Sequence, residues 1–164
     1  MQIVDEVAAV NKKPRVRFAA LAHDLGKGTT PLEMLPHHYE HEKRGIKVLS
    51  DMDSRICLPK DWKKFAALVI REHMRAPRLN MPGKIVDLII KIHNAKFSFR
   101  DFNAIINADN HGLPPYLADA EIILPKLLAV SGKDAPPDLE GSQIGDWIRT
   151  NRIKIFMDSF VDSK

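Results

Sequence analysis

The chain has 164 residues, a formal net charge of +4 and a single cysteine, Cys57. This length suits one domain of ordinary size that can bury a core of its own. One cysteine excludes an internal disulfide and a zinc site built from several thiolates. No apolar run approaches a membrane span and the first residues lack a signal-peptide pattern, so we expect a cytoplasmic protein without a membrane partner.

Apolar residues recur at intervals of three and four along most of the chain, which predicts an all-α fold. Alternating polar and apolar residues, the pattern typical of strands, are scarce. Pro14 and Pro59 suit the first turns of helices, and Gly112 with the prolines after it ends another. The predicted helices cover residues 2–10, 14–25, 38–52, 60–75, 83–95, 99–110, 115–130 and 142–160.

A change in composition near the C-terminus predicts a boundary. The stretch 131–138 contains one glycine and two prolines, which is typical of a linker. We therefore divide the chain into a compact multi-helix bundle at 1–132, a linker at 133–141 and a C-terminal amphipathic helix at 142–164 that packs on the bundle.

The second predicted helix ends in an adjacent histidine and aspartate, His23 and Asp24, followed by Gly26, Lys27 and Gly28. The apolar residues before the pair have the spacing of a buried helical face, so the pair lies at the end of an element anchored in the core. An imidazole beside a carboxylate is a good ligand pair for a divalent metal ion. Lys27 follows within one turn, where its ammonium group can meet a phosphate.

Further candidates lie at helix ends. Asp109 is near the end of the sixth predicted helix, where the helix dipole disfavours a carboxylate, so a metal role suits it better than a structural one. His37, His38 and His41 lie near the start of the third helix, where backbone N–H groups favour anions. They could hold a phosphate, donate a proton or join a second metal. Clusters of lysine and arginine are compatible with an RNA partner and equally with solvated helix faces.

Segment 23–28, with the sequence HDLGKG, resembles the HD-domain metal-dependent phosphohydrolases. It is most similar to the HD domain of the bacterial tRNA nucleotidyltransferases, the multifunctional CCA-adding enzymes. The resemblance continues through segments 36–41, 107–109 and 141–149, and so extends over nearly the whole chain.

The resemblance implies a set of roles. His23, Asp24 and Asp109 would hold a divalent ion, Ni²⁺, Mn²⁺ or Mg²⁺, with no organic cofactor. His23, Asp24 and Lys27 would be catalytic. The phosphate of the substrate would be bound by Lys27, His38, His41 and His73.

The sequence departs from the family pattern in two places. HD domains use one more histidine on the preceding helix, and none precedes His23 here. We therefore expect a fragment of a longer protein, with that ligand and a nucleotidyltransferase domain upstream. Relatives also often have an aspartate and a further histidine after the residue matching His73, where this chain has Met74 and Pro77.

The family implies hydrolysis of a phosphoester, as a 2′,3′-cyclic phosphodiesterase, 2′-nucleotidase or phosphatase. The substrates would be 2′,3′-cyclic nucleotides or a 2′-phosphate, such as arise at a damaged tRNA 3′ end. Two alternatives stay open. The domain could be an eroded scaffold that binds tRNA, which Met74 and Pro77 favour. It could also be another HD nucleotide phosphohydrolase, although the histidine-rich loop and the 141–149 tail argue against this.

Overall fold

A computed structural model of the protein describes residues 2–161, without the side chains of residues 160 and 161. Within this span the chain forms nine α-helices, four short 3₁₀ helices and no β-strand, so the predicted all-α fold is confirmed. None of the described helices has the length and apolar character needed to cross a membrane. The α-helices are α1 (Gln2–Val10), α2 (Pro14–Ala22), α3 (His41–Ile56), α4 (Lys60–Glu72), α5 (Pro82–Asn94), α6 (Phe99–Asn110), α7 (Pro115–Ala118), α8 (Ala120–Ala129) and α9 (Ser142–Val161).

Several helix ends differ from the prediction, and the differences surround the candidate site. Helix α2 ends at Ala22 rather than at residue 25, and the chain turns into a 3₁₀ helix at Leu25–Thr29. Helix α3 begins at His41 rather than at residue 38, because Glu40 has a left-handed backbone with φ 57°. The predicted helix 115–130 is interrupted at Asp119 and forms α7 and α8. The final residues of the predicted segment 142–164 lie outside the described span.

The chain forms two compact units. The first contains the described residues up to Arg78 together with Arg100–Leu113, and therefore α1 to α4 and nearly all of α6. Helix α2 packs against α4, with the rings of Phe18 and Trp62 at 5.6 Å between centroids. Helix α3 packs against both α4 and the 3₁₀ helix Leu25–Thr29. This packing brings the ends of three helices to one place in the first unit.

The second unit contains Leu79–Phe99 and the described residues from Pro114 onwards. Within it α9 lies against α5 and α8. The guanidinium of Arg149 donates two hydrogen bonds of 2.9 Å to the carboxylate of Asp87 on α5. Arg152 donates to the carbonyl oxygens of Leu127 and Val130. The boundaries at residues 132 and 141 stay a prediction.

The buried carboxylate of Asp101, at the start of α6, connects α6 to the chain around the start of α2 by hydrogen bonds. Its side chain is fully buried and accepts hydrogen bonds from Asn11 at 2.8 Å, Lys13 at 3.0 Å and Arg15 at 2.8 Å. Burial by itself would raise the pKa of Asp101, but hydrogen bonds from these three residues lower it below its ordinary value. The carboxylate therefore stays charged in the folded protein.

Replacing Asp101 by asparagine should lower the free energy of unfolding by about 2 kcal/mol or more at pH 7, because Asn11, Lys13 and Arg15 lose a buried, charged acceptor. The pKa of Asp101 is lower in the folded protein than in the unfolded chain, where it is near 4. The stabilisation by this carboxylate is therefore complete above about pH 4 and disappears as the pH falls through the folded pKa. The urea midpoints of the unchanged protein and of Asp101→Asn should differ at pH 7 and converge only below about pH 4.

Asp61→Asn is the matched control, because its carboxylate is 58% exposed and lies 3.5 Å from Arg15. We expect Asp61→Asn to change the urea midpoint little. A similar loss in both variants would mean that the buried hydrogen bonds of Asp101 do not stabilise the fold.

Candidate metal centre

Asp24 lies at the centre of a cluster that four segments of the first unit build. His23 and Asp24 follow directly on α2, and His41 is the first residue of α3. His73 follows the last residue of α4, and Asp109 lies in the last turn of α6. Residues far apart in sequence thus meet because helix packing brings these helix ends together.

Each of the three histidines is held by a hydrogen bond from its Nδ1 to a main-chain carbonyl. His23 Nδ1 lies 2.7 Å from the oxygen of Ala20, and His41 Nδ1 lies 2.9 Å from that of His38. His73 Nδ1 lies 3.0 Å from the oxygen of Ile70. A carbonyl only accepts, so Nδ1 is the donor in each ring and Nε2 is left for other contacts. Metal-binding histidines are oriented in this way.

The Nε2 atoms meet around the carboxylate of Asp24. His41 Nε2 lies 3.2 Å and His73 Nε2 lies 3.5 Å from Asp24 Oδ1, while His23 Nε2 lies 3.2 Å from Asp24 Oδ2. The Nε2 atoms of His41 and His73 lie 3.2 Å from each other. Because both rings donate through Nδ1, their Nε2 atoms face each other as two ligands of one cation would.

Two buried polar atoms at this point lack a hydrogen bond, namely His23 Nε2 and Asp24 Oδ1. Such atoms are costly unless something pairs with them. One ligand atom each from Asp24, His41 and His73 lies within 4.8 Å of the others, which is the arrangement of a group able to hold a metal ion. The donor set of imidazole and carboxylate suits a divalent transition metal.

The electrostatics of the cluster are those of a cation site. Burial raises the pKa of Asp24, but its contacts with His23, His73 and Lys27 lower it well below the ordinary carboxyl range. Burial lowers the pKa of His23, but the carboxylates of Asp109 and Asp24 raise it to about 10. His23 therefore holds a proton at neutral pH, and a metal ion would compete with that proton for Nε2.

Asp109 and Lys27 lie at the edges of the cluster. Asp109 Oδ1 is 3.4 Å from His23 Nε2, and this contact lowers the pKa of Asp109. The ammonium of Lys27 is 2.6 Å from Asp24 Oδ2, and its side chain is 42% exposed. Lys27 can therefore contact both the cluster and a ligand arriving from solvent.

The other histidines singled out in the sequence lie in different surroundings. The half-buried His38 has its Nδ1 2.7 Å from the hydroxyl of Thr30. His37 is stacked on Tyr39. His93 is on α5 in the second unit, and His111 lines a cleft beside Asp109. The structure thus brings His23, Asp24, Asp109, Lys27, His41 and His73 together.

The family resemblance implies that His41 and His73 bind phosphate, whereas both are buried and point at Asp24. Nothing local distinguishes His73, which follows the last residue of α4 and precedes Met74. His41, Gly45 and Leu49, the buried residues of α3, recur at intervals of four, and this spacing is a weak signal that the sequence did contain. Gly45, one turn after His41, is a second weak signal, because it lies against the segment after Asp24.

Comparison with known proteins gives a family match. A model of the HD domain matches residues 2–97, more than half of the chain. This range includes His23, Asp24, Lys27, His41 and His73, while Asp109 lies beyond it.

Three relatives illustrate the similarity. The multifunctional CCA protein of Nitrosomonas eutropha is 36% identical over 94% of this chain and 40% of its own length. That of Cupriavidus pinatubonensis is 48% identical over 63% of this chain and 29% of its own length. That of Cupriavidus metallidurans is 51% identical over 44% of this chain and 18% of its own length. The chain therefore spans less than half the length of these relatives. No solved structure matches the chain.

Proposed function

We propose that this chain, which belongs to the HD domain family, hydrolyses phosphoesters with a divalent metal ion. The observation that supports this most strongly is the convergence of three Nε2 atoms on one half-buried carboxylate, that of Asp24. Imidazole and carboxylate groups gathered at one point are the donor set of a divalent transition metal. The cluster therefore fits the ion that the family implies.

His23, Asp24, His41 and His73 would hold the metal, with Asp109 beside His23. We assign His41 and His73 to the metal rather than to phosphate, because both are buried and neither is open to a substrate. A bound divalent ion would act as a Lewis acid on the phosphate and lower the pKa of water. Three imidazoles favour Ni²⁺ or Mn²⁺ over Mg²⁺, which prefers an all-oxygen site.

Two residues would act on the substrate directly. The exposed part of Lys27 would neutralise charge on the non-bridging oxygens of the phosphate. His38 would give a proton from Nε2 to the ribose oxygen that leaves when the P–O bond breaks, since its Nδ1 is engaged with Thr30. The oxygen of a water molecule takes the place of the leaving oxygen on phosphorus, and the proton which that water loses passes to solvent, from which His38 is reprotonated.

The substrate we propose is a 2′,3′-cyclic nucleotide or a 2′-phosphate, such as the damaged 3′ end of tRNA. This proposal rests on the similarity to multifunctional CCA proteins. It includes a nucleotidyltransferase domain as the partner of this domain within a longer protein.

The test is hydrolysis of adenosine 2′,3′-cyclic phosphate by this chain with Ni²⁺, Mn²⁺, Mg²⁺ or a chelator. We expect turnover with Ni²⁺ or Mn²⁺, less with Mg²⁺, none with the chelator, and at least a 100-fold loss in His23→Ala. His93→Ala, on the exposed side of α5, is the matched control and should retain full activity.

A different result would support one of two other functions. If the chain binds tRNA but hydrolyses no phosphoester with any of the three metals, the domain is an RNA-binding scaffold. If it hydrolyses nucleoside triphosphates or cyclic dinucleotides better than the cyclic monophosphate, it is an HD phosphohydrolase of another class.

A further inference from the structure

Exposed apolar side chains are concentrated on the loop between the metal centre and α3, here named the 30–40 loop. The exposed fraction is 84% for Leu32, 40% for Met34, 48% for Leu35 and 64% for Tyr39. Isolated exposed apolar residues are ordinary, but several on one short segment indicate a surface that meets a ligand.

The rings of His37 and Tyr39 are already stacked on this loop. Their centroids are 5.3 Å apart, and the ring planes are inclined by 30°. Both residues are exposed, so the pair is not part of a core. A solvent-exposed stack of flat rings is a surface on which another flat ring can extend the stack.

Hydrogen bonds hold the loop in place beside the metal centre. Arg44 on α3 donates to the carbonyl oxygen of Tyr39 at 2.6 Å, to Thr30 Oγ1 at 3.1 Å and to the carbonyl oxygen of Gly26 at 3.3 Å. Main-chain bonds within the loop, such as His37 N to Met34 O at 2.9 Å, add to this. The apolar side chains are therefore presented by an ordered backbone.

The loop is also joined to residues that bind charge. The carbonyl of His38, between the two stacked rings in sequence, accepts the Nδ1 hydrogen of His41, whose Nε2 contacts Asp24. Arg44 donates hydrogen bonds both to this loop and to the carbonyl oxygen of Gly26, the residue before Lys27. Hydrogen bonds thus connect the loop that carries the exposed aromatic pair to the segment that carries a cationic group, which matches a ligand with a phosphate at one end and a flat ring at the other.

We propose that the stacked pair His37 and Tyr39 is a platform for the nucleobase of a nucleotide whose phosphate lies at the metal centre. The inference deepens the proposed function and rests on it, because it gives the hydrolase a preference for phosphoesters that carry a base. Apolar packing of a protein segment would not require two stacked rings on a loop that is hydrogen-bonded to the metal centre. Stacking also tolerates any base, so the platform selects nucleotides as a class and not one base.

The experiment compares two substrates with the same cyclic phosphodiester, adenosine 2′,3′-cyclic phosphate and glycerol 1,2-cyclic phosphate, which has no base. Removing one stacking ring should lower the ratio of their kcat/KM values by roughly 5- to 100-fold in Tyr39→Ala, mainly through KM of the nucleotide. Tyr39→Phe keeps the ring and should retain the ratio. Ile56→Ala removes an equally exposed apolar side chain at the end of α3 and should leave it unchanged.

Binding of adenosine 3′-monophosphate and ribose 5-phosphate, measured by calorimetry, separates this inference from the proposed function. If the chain hydrolyses neither substrate, the proposed function fails. The platform then stands only if Tyr39→Ala weakens binding of the adenosine nucleotide and not that of ribose 5-phosphate. His37→Ala serves as the second variant should Tyr39→Ala unfold at a lower temperature. Equal substrate ratios, or equal nucleotide affinities, in all variants would overturn the platform.

Discussion

Replacing Gly26 by alanine should destabilise the protein by at least about 3 kcal/mol, the upper end of the usual cost of overpacking. A Cβ atom at this position would lie 1.8 Å from the carbonyl oxygen of His41 and 2.5 Å from the backbone nitrogen of Gly45. Both contacts are with main chain, so no side chain can rotate to relieve them. The segment after Asp24 would have to separate from α3, and Asp24 from His41.

Urea unfolding measures the loss, and the chain contains its own controls. A Cβ atom at Gly28 would have no atom within 4 Å, so Gly28→Ala should be close to neutral. At Gly45 the Cβ atom would lie 3.0 Å from a methyl group of Ile70, which predicts an intermediate loss. Equal stabilities for the variants at positions 26 and 28 would show that the close approach of the two segments is not required.

Replacing Asp24 by asparagine should weaken metal binding by at least about 100-fold, since loss of an outer group that only orients a ligand already costs 10- to 100-fold. The side chain keeps its size but loses the charge that three imidazoles and Lys27 face. Calorimetric titration with Mn²⁺ and Ni²⁺ measures the change. Asp51→Asn, on the exposed side of α3, should bind metal as the unchanged protein does.

The same titration distinguishes the two roles considered for His41 and His73. We expect His41→Asn and His73→Asn to lose metal affinity, because their Nε2 atoms lie 3.2 and 3.5 Å from Asp24 Oδ1. If the metal affinity stays and only KM for the substrate rises, both residues bind phosphate, as the sequence alone suggested.

The helices could be predicted from the sequence because each depends on residues close together in the chain. Apolar spacing and prolines at helix starts placed α1, α6 and the start of α2 at the observed positions. Two errors lie beside the site. Helix α2 ends early, where Gly26 closely approaches the main chain of α3, and α3 begins late because Glu40 has a left-handed backbone. A glutamate gives no sign of that conformation, which glycine or asparagine usually adopts.

The site was predictable to the extent that it is local or shared with the family. His23 and Asp24 are adjacent in sequence, and Asp109 entered by resemblance. The approach of His73 to Asp24 depends on how α4 packs against α2 and α3, which no spacing within the sequence specifies. The stacked His37 and Tyr39 were also missed, because the two residues are separated by one position and stack only in the folded loop.

The main-chain anchors of the three imidazoles have a consequence for how the site tolerates sequence change. Many metal-binding histidines are oriented by a carboxylate side chain, which a single substitution removes. Here the acceptors are the carbonyl oxygens of Ala20, His38 and Ile70, and every amino acid supplies a carbonyl. The neighbouring side chains can therefore diverge while the rings keep their orientation. In homologous domains, the only residues that this centre constrains strongly are therefore the ligands themselves and Gly26, which packs on the main chain of α3.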